Sequence, residues 1–277
     1  MALRALYSLA IAASLGLGCK PASTQPTDLV SSERVPARVW RPPPGTTWQW
    51  QLTGTIDTSL AVTMYDVDLF DAPDDILAAL RERGTRIVCY FSAGSHEDWR
   101  ADAAELPAHV LGTPLDGWAG ERWLDIRSPI VRTQMRARLA RAKQRGCDGV
   151  EPDNVDGYAN PSGFPLTAAD QLDFNRFLSR EAHVLGLSIG LKNDLDQVAE
   201  LVSDFDWALV EECVVHGECA ALAPFTTANK AVFHVEYGAG SLATTVCPET
   251  HALGFSTLIK NLELDAWRVA CPDVSPR

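Results

Sequence analysis

The sequence predicts an α/β protein folded as a single (β/α)8 barrel. Three observations carry that prediction: eight short β-rich apolar runs, longer amphipathic stretches between them, and no glycine-rich phosphate turn after the first run. The 277 residues, 46% of them hydrophobic and only 17 of them Pro, suit one large domain with a full core.

The runs fall near Trp48–Leu52, Ala61–Tyr65, Arg86–Phe91, Gly149–Glu151, Ser188–Leu191, Trp207–Val210, Ala231–Val235 and Phe255–Ile259. Eight parallel strands point to closure into a barrel. Helices are clearest at Asp74–Arg83, Ile130–Arg145, Ala168–Leu185 and Leu195–Ser203, where apolar residues return every three or four positions. Gly84, Gly146 and Gly186 follow three of them, as helix-terminating residues do. A doubly wound open sheet is the rival, but Gln51-Leu-Thr-Gly-Thr has one glycine where that fold carries several. The stretch from Ser95 to Arg127, with Trp, His, Gly and Pro, reads as a long loop over one barrel end.

Residues 1–19 have one Arg at position 4, an apolar stretch from Ala5 to Leu17, and Gly18 before Cys19. They read as an export signal, too short to span a membrane. The small residue before a Cys resembles a bacterial lipoprotein signal, which makes Cys19 the expected lipid anchor and the only expected membrane contact; plain secretion is the alternative. Residues 20–38 are polar and rich in Ser, Thr and Pro, a flexible tether, and the folded domain is expected over 39–277. The chain is expected to act as a monomer, lipid-anchored at the cell envelope or secreted.

Six cysteines remain after Cys19, and an even number in an exported chain suggests disulfides. The short loop from Cys213 to Cys219 and the late Cys247 and Cys271 are the least strained choice, with Cys89 and Cys147 paired or left as buried thiols. The net charge of −12 becomes one unit more negative if Arg4 leaves with the signal. That argues against nucleic acid as a partner and favours encounter with a cationic substrate.

Polar residues at the C-terminal ends of barrel strands form the working face. Here they include Asp66 and Asp68; Tyr90 and Ser92; Glu151, Asp153 and Asn154, followed by Asp156 and Tyr158; Lys192, Asn193 and Asp194; Glu211 and Glu212; His234, Glu236 and Tyr237. A capping or solvated polar residue explains any one of them, but not the whole set. Two carboxylates on different strands are what glycosidic cleavage requires, one to protonate the leaving oxygen and one to attack or activate water. Trp48, Trp50, Tyr65, Tyr90 and Tyr158 offer apolar faces for sugar rings, with core packing as the alternative for each. Alternation puts Glu151 and Asp153 on one side and leaves both open, and only one of Glu211 and Glu212 can face the mouth.

The strings Asp148-Gly-Val-Glu-Pro-Asp-Asn-Val-Asp-Gly-Tyr158, Cys89-Tyr-Phe-Ser-Ala-Gly94, Gly190-Leu-Lys-Asn193 and Glu211-Glu-Cys…Cys219 resemble the glycoside hydrolase family 114 domain, the endo-α-1,4-polygalactosaminidase group. The likeness runs from about Trp40 to Cys271. It implies a (β/α)8 barrel without a metal or other cofactor, cutting α-1,4-linked galactosamine polymers, a cationic amino-sugar polysaccharide. The family's acid pair maps onto Asp153 and Glu211, with Glu211 assigned as acid and Asp153 as nucleophile. Asp66, Tyr90, Lys192, Asn193 and Glu236 fall at sugar-contacting positions. Val210 departs from the pattern, which often has Asn there, so a changed sugar contact is expected. Two alternatives stand beside this reading: a glycan-binding barrel with weakened catalysis, and a divalent-metal hydrolase using Asp66, Asp68, Glu151, Asp153 and Asp156.

Overall fold

The computed structural model describes residues 39–271. The chain begins with β1 (Trp48–Gln51), β2 (Met64–Asp68) and β3 (Arg86–Ser92), then lays down a separate three-stranded sheet, β4 (Ser95–Glu97), β5 (Leu111–Pro114) and β6 (Glu121–Leu124). It continues through β7 (Gly149–Asp153), β8 (Ser188–Lys192), β9 (Trp207–Glu211), β10 (Val232–Tyr237) and β11 (Ser256–Lys260). The eight strands β1, β2, β3 and β7 to β11 pair in chain order, all parallel, as a curled sheet. Every predicted run is found in this sheet.

The last strand, β12 (Arg268–Ala270), returns antiparallel to β11. Among the described residues no ladder joins β1 to β11, and the seam is bridged by individual hydrogen bonds. Trp48 Nε1 donates to Ser256 O at 3.1 Å, Gln49 Nε2 to Ala266 O at 3.0 Å, and the Leu52 N–H to Leu264 O at 2.9 Å. The barrel is therefore not fully closed strand to strand.

Strand alternation sorts side chains into two layers. Trp48, Trp50, Met64, Val88, Trp207, Leu209, Phe233, Val235 and Leu258 fill the inside. Tyr65, Val67, Ile87, Cys89, Val150, Ile189, Leu191 and Val210 belong to the larger core outside the sheet. Residues from α1 (Asp74–Glu82), α2 (Pro129–Gln144) and α3 (Ala168–Val184) join that outer core. Gly190 makes room for the Trp207 indole: a Cβ there would lie 2.3 Å from the ring. The α2 start is capped by Ser128, with Pro129 at the first helical position. The α3 start is a capping box of Thr167 and Asp170.

Four expectations shift. The second strand starts three residues later than the apolar run and carries Asp66 and Asp68 into the sheet, where Arg100 pairs with Asp68. The predicted helix at Leu195–Ser203 is a 3-10 turn, Leu195–Gln197, leading into the short α4 (Val198–Leu201). Helices α5 (Cys213–His216), α6 (Ala223–Thr227) and α7 (Ala243–Ala252) escaped the periodicity: two are under six residues, and α7 holds Pro248. The Ser95–Arg127 segment is not a plain loop but the β4-β6-β5 sheet, whose strands of three or four residues are too short to show a period.

Three disulfides form, Cys213 to Cys219, Cys247 to Cys271 and Cys89 to Cys147. The last pair is thus bonded rather than free. Cys19, the expected signal, the whole of the expected tether and residues 272–277 lie outside the described residues. No described helix is long and apolar enough to cross a membrane.

Candidate active site

Lys192, at the end of β8 and 2% exposed, is the hub of the site. Its Nζ lies 3.1 Å from Asp153 Oδ1, 3.2 Å from Glu211 Oε2 and 3.0 Å from Glu151 Oε1. Burial works against the ammonium charge, but Asp153, Glu151 and Glu211 outweigh it and hold its pKa well above the usual lysine value.

Each outer carboxylate has its own clamp. Asp153 accepts from the Tyr90 hydroxyl at 3.1 Å and from the Asn154 backbone N–H at 2.8 Å. Glu211 accepts from Asn193 Nδ2 at 3.2 Å and from the Tyr237 hydroxyl, while the Asn193 side-chain Oδ1 accepts from the Glu211 backbone N–H at 3.0 Å. Burial, then Glu211, pushes the Tyr237 hydroxyl up, so it stays a donor. Asn154 and Asn193 both sit at positive φ, +59° and +49°, where Asn is tolerated better than most residues and the chain can turn sharply off the strand.

Below lies a buried floor. Glu151 accepts from Lys192 and, at 3.0 Å, from the Trp50 indole N–H, and the Trp50 ring carries Lys192 Nζ 4.8 Å from its centroid. Burial, then the Glu151 charge, raises Asp66 well above the carboxylate range, so it sits protonated beside Glu151.

Above the floor opens a cavity of about 640 Å³, lined by Asp153, Glu211, Lys192, Tyr90, Tyr237 and Trp50 among others. The β4-β6-β5 sheet supplies one wall. Glu121 projects from β6, held by Ser95 Oγ at 2.5 Å, and burial raises it to about 7. Arg100 pairs with Asp68 and Glu97 at 2.6 and 2.7 Å and anchors this sheet to β2. Trp99 and Trp118, about half exposed, stand at the rim, with exposed Leu262 also lining the cavity.

A second cavity, of about 760 Å³, adjoins the first and shares Glu211, Asn193, Tyr237, Asp156, Trp118 and Leu262 with it. Tyr158, Asp194 and Glu212 line only this one. Glu212, at φ +54°, turns away from Glu211, so of the adjacent pair only Glu211 borders the main cavity.

The structure thus gathers Asp153, Glu211, Tyr90, Asn154, Asp156, Lys192, Asn193 and Trp50 around one cavity and puts Tyr158 next door. Two expected sugar contacts are corrected. Asp66 is fully buried under Glu151, and Glu236 is fully buried on the helix side, accepting from His234 at 3.1 Å and from the Val214 N–H at 2.8 Å. Trp48 and Tyr65 are core residues, and Trp50 is floor rather than platform. Val210 packs in the outer core, so the departure there touches no sugar. Tyr237 is among the strand-end candidates, and alternation could have preferred it, since only one of Glu236 and Tyr237 can face the mouth. Glu121, Trp99 and Trp118 were missed because they sit on the misread segment.

The metal reading loses its geometry. Among the described residues, the one group of potential ligands that converges within 4.8 Å is Cys213, Cys219 and His234, whose sulfurs are joined in a disulfide. The space between the acids is taken by the Lys192 ammonium.

A parallel α/β barrel with two clamped carboxylates at its strand ends, in an aromatic-rimmed cavity, defines a barrel glycosidase. The family model described as "Glycoside-hydrolase family GH114" matches residues 30–275, and the chain belongs to that family. The crystal structure of Ega3 from Aspergillus fumigatus in complex with galactosamine is 41% identical, with a TM-score of 0.81 over 84% of this chain and 98% of that one. The glycoside hydrolase domain of PelA from Pseudomonas aeruginosa, at 14% identity and a TM-score of 0.65 over 83% of this chain and 99% of that one, shares the fold. No curated protein sequence matches the chain.

Proposed function

We propose that the protein is an endo-acting glycosidase that cuts α-1,4-linked galactosamine polymers by a retaining mechanism, with Asp153 as nucleophile and Glu211 as acid and base. The observation that carries this reading is the single Lys192 ammonium in contact with both carboxylates. One buried cation in contact with both acids keeps them close together, in keeping with the short spacing of retaining pairs.

In the first step an Asp153 oxygen attacks the anomeric carbon, the glycosidic C–O bond breaks, and Glu211 delivers its proton to the departing oxygen. In the second, Glu211 takes a proton from water, the water oxygen attacks the same carbon, and the ester to Asp153 breaks. The division of roles follows the family's acid pair; each acid meets one hydroxyl, Tyr90 or Tyr237, and one amide donor, the Asn154 N–H or Asn193 Nδ2.

Galactosamine as the substrate unit is supported by the ligand in the Ega3 structure and by the net charge of −12. Endo action is supported by two contiguous cavities with Glu211 at their junction, leaving room for chain on both sides of the cut. The same reading keeps residues 1–19 as an export signal, Cys19 as its lipid anchor, residues 20–38 as a tether, and Asn154, Asp156 and Tyr158 as sugar contacts. The test is incubation of the wild type, Asp153→Asn and Glu211→Gln with α-1,4-galactosamine oligomers, following products by mass spectrometry. Cleavage by the wild type alone is expected; undiminished cleavage by either variant rules the pair out.

A further inference from the structure

Glu121 lines the main cavity from β6, outside the barrel strands, and the two-carboxylate mechanism gives it no part. It is 6% exposed, and its Oε2 accepts from Ser95 Oγ at 2.5 Å. Ser95 is the first link of a relay that leads back to the barrel. Its Oγ lies 2.6 Å from Ser92 Oγ, and Asn154 Nδ2 donates to Ser92 Oγ at 2.9 Å and to Ser95 Oγ at 3.3 Å. Both serines are fully buried. At the far end, the Asn154 backbone N–H donates to Asp153 Oδ1 at 2.8 Å.

The available hydrogens fix the direction of this relay. Ser92 Oγ accepts from Asn154 Nδ2 and, at 3.1 Å, from the Ser95 backbone N–H, which occupies both of its lone pairs. Its one hydrogen therefore goes to Ser95 Oγ, and the Ser95 hydrogen goes on to Glu121. Every hydrogen points from Asn154 toward β6, and the run ends on the Glu121 carboxyl. Buried hydroxyls in series strengthen one another. Without the terminal acceptor the Ser95 hydrogen is left buried and unpaired, or turns back and competes with Asn154 at Ser92.

Asn154 is the residue whose position matters. It stands at φ +59°, and its carbonyl lies so close to Gly94 that a Cβ there would come within 1.7 Å of the oxygen. The side-chain tether and the N–H that clamps Asp153 belong to this one residue, so whatever holds the side chain also orients the carboxylate.

We propose that Glu121 is a positioning residue for the nucleophile: as the terminal acceptor of the Asn154, Ser92 and Ser95 relay, it holds Asp153 in its attacking orientation. This role rests on the assignment of Asp153 made above and adds a group on a separate sheet that controls it. The competing role for Glu121 is direct contact with the sugar.

Three substitutions separate the two roles. Glu121→Met keeps the side-chain length without an acceptor, Glu121→Gln keeps an acceptor oxygen, and Ser95→Ala cuts the relay one link earlier. In oligomer cleavage Glu121→Met should lower kcat about tenfold or more while KM stays within about twofold. Ser95→Ala should match that loss, Glu121→Gln should recover most of it, and Glu121→Met combined with Ser95→Ala should be no slower than either alone, as two links in series require. Losses that multiply in the double variant overturn the relay. So does a raised KM in Glu121→Met beside wild-type kinetics in Ser95→Ala, which places Glu121 on the sugar instead. Hydrogen exchange at the Asn154 backbone amide needs no catalysis: its protection should fall in Glu121→Met and Ser95→Ala and persist in Glu121→Gln. Unchanged protection in the first two overturns the relay whatever the activity. Protection lost as expected, in a protein whose wild type cuts no galactosamine polymer, counts against the function and leaves the relay standing.

Discussion

Replacing Lys192 by Met removes the one cation that touches all three site carboxylates while keeping most of the side-chain volume. The Nζ contacts of 3.0, 3.1 and 3.2 Å to Glu151, Asp153 and Glu211 are lost together. Breaking a buried ion pair by removing one partner costs about 3–5 kcal/mol. Lys192 is also what holds Glu151 down against its burial, so Glu151 keeps its proton once the ammonium is gone. With the cation that touches both Asp153 and Glu211 removed, kcat/KM falls about tenfold, equivalent to about 1.4 kcal/mol of transition-state stabilisation. The melting temperature falls by roughly 10 °C, since 1 kcal/mol moves a domain of this size by a few degrees. The assay is reducing-end release from soluble galactosamine oligomers across pH 4 to about 8, alongside thermal denaturation of both proteins. Unchanged kcat/KM across that range would show that Lys192 does not govern the pair.

Glu121→Gln tests the cavity wall through stability. The folded-state pKa of Glu121, about 7, lies above its unfolded value, so the folded state keeps a proton the unfolded state has lost. Stability is therefore lost as pH rises from the unfolded value through 7. The Gln variant should flatten that slope, by up to about 3 kcal/mol between pH 5 and pH 8 in chemical denaturation; parallel slopes in the two proteins would contradict the burial of its charge. Gly94→Ala places a Cβ 1.7 Å from the Asn154 carbonyl oxygen, which must displace the residue whose N–H holds Asp153. Activity should fall about a hundredfold, with melting lowered only a few degrees, and wild-type kinetics would count against that positioning. Removing the Cys89–Cys147 bond, which closes a separation of 58 residues, should cost about 4 kcal/mol, against about 2 for Cys213–Cys219 with its separation of 6. Urea unfolding of the paired Ser variants reports both, and equal losses would contradict the chain-entropy origin of the difference.

The barrel was legible because most β-runs are apolar on both faces and are followed by a polar terminus, so strand number and order could be read without knowing a contact. The site was legible where the strand parity was clear, as at Asp153 with Glu151, and misread where two neighbouring polar residues competed. At β10 the resemblance pointed to Glu236, whose parity turns it to the helix side and brings Tyr237 to the mouth. Asp66 came from the same resemblance: in sequence nothing distinguishes a carboxylate at the mouth from one protonated beneath it. The wall carrying Glu121, Trp99 and Trp118 was hidden because its strands of three and four residues repeat no pattern and are held by nonlocal pairs such as Arg100 with Asp68.

Covalent trapping tests the Asp153 and Glu211 assignment most directly. A fluorinated galactosaminyl donor with a good leaving group would be incubated with the Glu211→Gln protein, whose second step lacks its base, and the digest analysed by mass spectrometry. A glycosyl adduct on the peptide containing Asp153 is the expected result. An adduct on another carboxylate, or none together with a first-formed product of inverted anomeric configuration, would contradict it.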